Sequence, residues 1–385
     1  MAINMLISTN DELKQFCGKL RSSRFLAIDT EFIRDRTYWP RLCLIQVAGE
    51  SDVGAIDPLA EGVDLAPLLE LLYDEKILKV FHAARQDLEI FFHLTGKVPT
   101  PIADTQVMGM VCGFGESVSY ENIVAKLAKG TIDKSSRFTD WALRPLSEKQ
   151  LNYALDDVRY LRPVFEKLET KLAELGRADW IAEEMQILRE PSTYRLEPDQ
   201  AWKRLKIKMD KPKFFTLVKD LCAWREKEAQ QIDIPRNRVL RDEALMEIVH
   251  HVPKDAGELA RVRGLSSEFA KNRLGTGILE VIKNAQSRTP DALPDELRKN
   301  HLPSSLGAVV DMLKVLLRLV AEENDVAAKL ISNSSDLDIL AEHDAADVMA
   351  MKGWRYELFG KKALALKQGK LALKLNKNKI QFIEV

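Results

Sequence analysis

The sequence predicts an α/β domain, a mixed sheet covered by helices, followed by two small all-α domains. Three observations carry that prediction. Short apolar runs with strand periodicity crowd into residues 24–105, helical periodicity dominates after Asp104, and a weak internal repeat of about ninety residues lies beyond a proline-marked boundary.

The runs FLAID, RLCLIQVA, VGAID and ILKVFHA (25–29, 41–48, 53–57 and 77–83) read as strands. Links between the first three are short enough for hairpin pairing, and the helical pattern from Arg85 onward supplies a cover for the sheet. Pro191 and Pro198, in REPSTYRLEPDQAWKRLK, mark a change of character taken as the domain boundary. Beyond it, DEALMEIVHHVPKDAGELARVRGL (242–265) is echoed by DLDILAEHDAADVMAMKGW (336–354), with Gly264 and Gly353 in corresponding places. The segment QSRTPDALPDELRKNHLPSS between the copies has the composition of a linker. The expected domains are therefore 1–195, 205–290 and 295–385, with a small closing hairpin around Asn376 to Asn378.

The chain of 385 residues is 46% hydrophobic and 30% charged, as expected of a soluble protein with more than one core. Its net charge of −1 conceals segregation: residues 201–241 hold twelve Lys/Arg against five Asp/Glu, and residues 351–385 hold nine against two. Cys17, Cys43, Cys112 and Cys222 stand far apart without metal-ligand spacing, which argues against a zinc site or disulfide framework. With no signal-peptide pattern at the start and no apolar run of membrane-spanning length, the expected location is cytoplasmic.

Chemistry is suggested first by RFLAIDTEF. On a period-two strand Phe25, Ala27, Asp29 and Glu31 share one face, so two acids point the same way at the end of an apolar run. Like charges so close cost energy unless a cation or shared proton relieves them. Asp87 lies in the first turns of the helix after ILKVFHA, where a helix dipole favours an acid in any case. In RPLSEKQLNYALDDVRYL, Ser147 and Gln150 form a capping-box pattern, while Leu151, Ala154, Leu155, Val158 and Leu161 repeat as a buried stripe. Tyr153 and Asp157, four residues apart, share the face beside that stripe, whereas Asp156 is turned away and reads as solvated. No GxGxxG or GxxxxGK[ST] follows a strand, and GFGES at 113–117 is a near miss.

Taken together, Asp29, Glu31, Asp87 and Asp157 with Tyr153 resemble the motifs of the DEDD 3′→5′ exonuclease superfamily, in its Y-x-x-x-D branch. DTEF, TYWPRLCLIQ, FHAARQDLEIF, ADTQ and DKSSRFTDWALRPLSEKQLNYALDDVRYL look more closely like the ribonuclease D family. LVKDLCAWREKEAQQIDIPRNRVL is similar to the helicase-and-RNase-D C-terminal (HRDC) domain, and the second copy departs from it by lacking WRE and IPRNRVL. The resemblance implies a ribonuclease H-like nuclease fold and two divalent ions, Mg²⁺ or Mn²⁺, with Asp29 bridging both, Glu31 and Asp157 holding one and Asp87 supporting the other. It implies that Tyr153 orients the attacking water. His82 could help near the leaving group, Gln46 is a weaker supporting candidate, and Asp104 would cap a helix or brace the site. The implied substrate is RNA with a free single-stranded 3′ end, tRNA precursors among them, cut to nucleoside 5′-monophosphates; protein partners stay open. Lys203, Arg204, Lys206, Lys208, Lys211 and Lys213, clustered at the domain junction, are the expected nucleic-acid contacts. Two alternatives remain at this point, a DNA 3′→5′ exonuclease and a non-catalytic HRDC scaffold that binds nucleic acid.

Overall fold

Unbroken burial over Phe25, Leu26, Ala27 and Ile28 marks a strand with apolar side chains on both faces, which a central position in a covered sheet satisfies. In the computed structural model, which describes residues 6–205, 211–294, 297, 306–377 and 379–385, this strand is third from one edge of a six-stranded mixed sheet. The elements in chain order are β1 (Leu6–Ile7), α1 (Asn10–Leu20), β2 (Phe25–Ile33), β3 (Arg41–Ala48), β4 (Val53–Ile56), α2 (Ala66–Leu72), β5 (Leu78–Phe81), α3 (Arg85–Thr95), β6 (Ile102–Asp104), α4 (Thr105–Val111), α5 (Tyr120–Ile123), α6 (Glu148–Glu174) and α7 (Trp180–Arg189). The sheet order is β1-β4-β3-β2-β5-β6. The hairpin expected between the second and third runs is present as the antiparallel pair β3–β4, while β2–β5 and β5–β6 are parallel.

Two apolar layers cover the sheet. Leu26 and Ile28 join α1, α2 and α3 in one cluster, and Phe25 and Ala27 join α4 and α6 in the other. The first two helices were not anticipated, because each is short and α1 is polar over most of its length. The long α6 begins at the expected capping box, with the Ser147 hydroxyl accepting from Gln150 N and the Gln150 side chain accepting from Ser147 N. Ala154, Leu155, Val158 and Leu161 are buried as expected, whereas Leu151 is only half-buried.

By contacts the chain divides into two units, Met1–Phe32, Leu42–Tyr194 and Leu302–Val385 in one and Ile33–Arg41 with Arg195–His301 in the other. The closing segment thus packs into the same unit as the sheet. Trp180 and Trp354 stack with centroids 4.2 Å apart, Ala327 N donates to the Met110 carbonyl at 2.9 Å, and buried Arg355 pairs with Glu183 and Glu184. That segment ends in the expected hairpin, β7 (Leu371–Asn376) with β8 (Lys379–Glu384). It therefore closes on strands rather than on helix alone.

The second unit is helical, with a core around the helices Pro212–Gln231, Asp242–His251 and Arg273–Ser287. The repeat has a structural counterpart in each copy. A helix (Asp242–His251, Ser334–Glu342) leads to a short helical turn and then to Gly264 or Gly353 at φ +87° or +49°, a backbone conformation that glycine adopts without a Cβ penalty.

Candidate active site

β2 emerges from between its two apolar layers at Asp29, so the acids sit where the sheet ends and the cover thins. Across from them α6 presents Tyr153 and Asp157 one turn apart, because Ala154, Val158 and Leu161 commit the adjacent face to the core. The outcome is a group of three carboxylates, Asp29, Glu31 and Asp157, with an oxygen of each within 4.8 Å of the others. They line a cleft of about 550 Å³ together with Tyr153, His82 and Arg137. Among the described residues none of the three acids forms an ion pair.

The electrostatics follow from that crowding. Burial and the Asp157 charge push Asp29 well above the usual carboxylate range, and burial with the neighbouring acids pushes Glu31 up to about 10. Asp157 rises to about 7, chiefly by burial, with Asp156 adding to the rise and Arg137 opposing it. Asp87 lies outside the group of three but beside it. It is 7% exposed, accepts from the Thr30 hydroxyl at 2.5 Å, and is raised by burial and by the Asp29 charge. Four acids that resist ionisation together form an oxygen-only donor set, which suits a hard divalent cation.

Asp104 braces the fourth acid. Its side chain caps α4 through Gln106 N at 2.8 Å, and its two oxygens accept from Ala83 N and Ala84 N, each at 2.9 Å. Ala83 is held at φ +60°, an unusual conformation for a residue with a Cβ, in the turn that launches α3 and hence Asp87. His82 lines the cleft, but both ring nitrogens are engaged. Its Nε2–H donates to the Val118 carbonyl at 3.2 Å, its Nδ1 lies 2.9 Å from the Thr105 hydroxyl, which itself donates to the Phe81 carbonyl at 3.0 Å, and burial pushes its pKa down. Gln46 is fully buried in β3 with neither amide atom hydrogen-bonded. Asp156 is not merely solvated, since it pairs with Arg159 at 3.1 Å.

Three residues that sequence reasoning did not single out belong to this cleft. Tyr120 donates its hydroxyl to the Asp157 carbonyl and so ties α5 to α6. Arg137 supplies the cationic charge that opposes the rises at Glu31, Asp157 and Tyr153. Phe138 stands beside it on the rim. The stretch DKSSRFTDWALRP carried the signal, but its spacing shows neither helical nor strand periodicity to say which side chains face inward.

Of the expected nucleic-acid contacts, Arg204 is taken up by a 2.8 Å ion pair with buried Glu226, and Lys203 lies 5.7 Å from the Trp202 ring centroid. Lys211 and Lys213 are exposed, and Lys206 and Lys208 lie outside the described residues.

A strand-borne D-x-E facing a helix-borne Y-x-x-x-D at the end of a mixed sheet defines a 3′→5′ exonuclease, and residues 4–173 match the 3′-5′ exonuclease family. Residues 214–282 match the HRDC domain. The chain is 45% identical to a ribonuclease D of Gluconacetobacter diazotrophicus over 98% of its length and 96% of that protein's. It is 46% identical to one of Acidiphilium cryptum over 99% and 97%. The crystal structure of Escherichia coli RNase D, described as an exoribonuclease involved in structured RNA processing, superposes with a TM-score of 0.82 at 29% identity, covering 95% of this chain and 99% of that one. The chain belongs to the ribonuclease D family of exoribonucleases. Enzymes of this class depend on divalent metal ions, and the oxygen-only donor set fits one. Among the described residues no helix is long and apolar enough to cross a membrane.

Proposed function

We propose that this exoribonuclease removes nucleotides one at a time from a free single-stranded 3′ end, releases nucleoside 5′-monophosphates, and trims tRNA precursors among other structured RNAs. The observation that carries the reading is the group of Asp29, Glu31 and Asp157, three carboxylates with oxygens within 4.8 Å in an open cleft and, among the described residues, no ion pair to any of them. Asp29, Glu31 and Asp157 would hold one divalent ion, Mg²⁺ or Mn²⁺, and Asp29 with Asp87 a second. When bound, such ions lower the pKa of water and neutralise charge that develops on phosphate oxygens.

The chain's own residues supply position. Tyr153 is pushed further above the usual phenol range by burial and by Asp157, so it stays protonated and acts as a hydrogen-bond donor that orients the attacking water. His82, neutral and held at both nitrogens, shapes the cleft wall and is a poor proton donor to the leaving group. Asp104 positions the start of α3 and through it Asp87. Gln46, buried beneath the same cover, is kept as a supporting residue without a role at the reacting atoms. Exposed Lys211 and Lys213, with Lys203, support a phosphate grip from the helical unit, whereas Arg204 serves Glu226 first. Four free buried cysteines support a reducing, cytoplasmic setting.

The test is incubation of the full chain with a 3′-extended tRNA precursor, single-stranded RNA and single-stranded DNA, in Mg²⁺, Mn²⁺ or EDTA, resolved at single-nucleotide level. Stepwise metal-dependent shortening of both RNAs with 5′-monophosphate products is expected. Internal cuts or 2′,3′-cyclic ends would overturn the mechanism, and faster loss of DNA than RNA would move the substrate to DNA.

A further inference from the structure

Phe138 is 91% exposed, the most exposed large hydrophobic side chain among the described residues, and it lines the cleft that holds the acids. Its position is not that of a loose loop tip. Ser136 is buried, the Asp133 side chain accepts from Ser135 N at 2.9 Å, and Thr139 N donates back to the Ser136 carbonyl at 3.2 Å. The Thr139 hydroxyl donates to the same carbonyl at 2.8 Å, and the Gln150 amide at the start of α6 donates to Thr139 at 3.2 Å. Lys134 pairs with Glu121 on the far side of the turn. A tied segment thus holds a bare phenyl ring in water beside a nucleolytic centre.

The ring has a neighbour of the right chemistry. The Arg137 guanidinium lies 5.2 Å from the Phe138 ring centroid, and its charge also reaches Glu31 and Asp157. An exonuclease that steps through RNA must seat each arriving base whatever its identity. An aromatic face does so, since every nucleobase has a π-face and stacking is sequence-tolerant. A cation next to the ring and facing the acids meets the phosphate of the same nucleotide.

We propose that Phe138 is a stacking platform for a base at the RNA 3′ end and that Arg137 beside it receives that nucleotide's phosphate, so that Phe138 positions the terminal linkage without entering the chemistry. The proposal rests on the exoribonuclease reading above, and it names the side chain that sets productive binding of single-stranded RNA.

The test uses the full chain and oligoribonucleotides carrying 2-aminopurine at the 3′-terminal or the penultimate position, bound in EDTA. Stacking quenches the probe, so the wild type and Phe138→Trp should quench at one of the two positions and Phe138→Ala at neither. In Mg²⁺, Phe138→Ala should raise KM for single-stranded RNA about tenfold with kcat within about twofold, and Phe138→Trp should restore it. On an oligonucleotide with abasic residues at the two 3′-terminal positions the Ala variant and the wild type should be equal. Absence of quenching by the wild type at both positions, or an equal loss on the abasic substrate, overturns the platform. Failure of the wild type to hydrolyse any RNA would overturn the exoribonuclease reading instead, and the quenching experiment would still decide the platform. Because the ring is exposed, removing it leaves the fold standing, which thermal melting of each variant verifies.

Discussion

Two sets of carboxylates in the molecule are treated in opposite ways. In the helical unit Glu226, 1% exposed, receives the Tyr38 hydroxyl, Arg204 at 2.8 Å and Arg236 at 3.1 Å. In the nuclease cleft Asp29, Glu31 and Asp157 face one another, and their protonated forms are favoured. A buried charge is tolerated when it is paired and hydrogen-bonded, and otherwise takes up a proton or a cation. Glu226 is complete within the protein, so it stitches WRE to IPRNRVL and serves structure. The cleft acids lack such ion pairs among the described residues, and the proposed divalent ions would supply the missing charge.

The sharpest way to break this contrast is Asp157→Asn, which should lower hydrolysis of single-stranded RNA by at least about a thousandfold while leaving metal-free thermal stability equal to the wild type or slightly higher. A melting temperature several degrees lower would mean that the acid is structural after all. Tyr153→Phe should lower kcat by about a hundredfold with RNA affinity unchanged, because the lost hydroxyl orients and does not bind. Equal loss in both would return Tyr153 to a packing role against Trp141, whose ring centroid is 6.1 Å away.

Much of the cleft was legible in the sequence because its acids sit on elements with strong periodicity. Asp29 and Glu31 follow from strand alternation, Tyr153 and Asp157 from a helix whose cap and stripe both announce it. Asp104 was readable as a cap but not as the partner of Ala83 and Ala84, since that requires knowing that β5 and β6 run side by side. Arg137 and Phe138 lie in an irregular segment whose side-chain directions are set by tertiary anchoring. Arg204 was read as a free cation because charge clustering in sequence cannot distinguish an exposed lysine from an arginine spent on a buried glutamate.

On the paired side, Glu226→Gln should cost about 2 kcal/mol, less than opening a fully enclosed pair because Arg204 and Arg236 keep access to water. Calorimetry should find this loss with the RNA products unchanged.

The unpaired side has its own stability signature. Asp157 rises from an ordinary 3.8 to about 7 and Glu31 from 4.5 to about 10, so the folded state holds protons that the unfolded state has released. Stability from these groups is therefore full below about pH 4 and is lost as pH climbs through 7 toward 10. In EDTA the melting temperature of the wild type should fall relative to Asp157→Asn between pH 5 and 9, and Mg²⁺ should restore it most at the alkaline end. A constant difference between the two proteins across that range would contradict the crowding.

The smallest effect separates the two kinds of cation in the helical unit. Lys211 and Lys213 are exposed, whereas Arg204 is held by Glu226. If the lysines meet phosphates, Lys211→Ala with Lys213→Ala should weaken binding of a structured RNA and flatten its dependence on salt. Each lost contact on a single strand reduces the steepness of log K against log salt by about 0.7, so the pair should reduce it by about 1.4. Arg204→Ala should leave that slope unchanged and lower the melting temperature instead, because its loss removes one partner from a buried charge. Binding followed by anisotropy from about 50 to 200 mM salt with metal chelated isolates grip from cleavage. Identical slopes for wild type and the double lysine variant would assign these lysines to a solvated helix start and leave substrate grip to the nuclease cleft. A flattened slope for Arg204→Ala would show that the arginine exchanges Glu226 for phosphate when RNA arrives, which would erase the distinction between the two classes of charge.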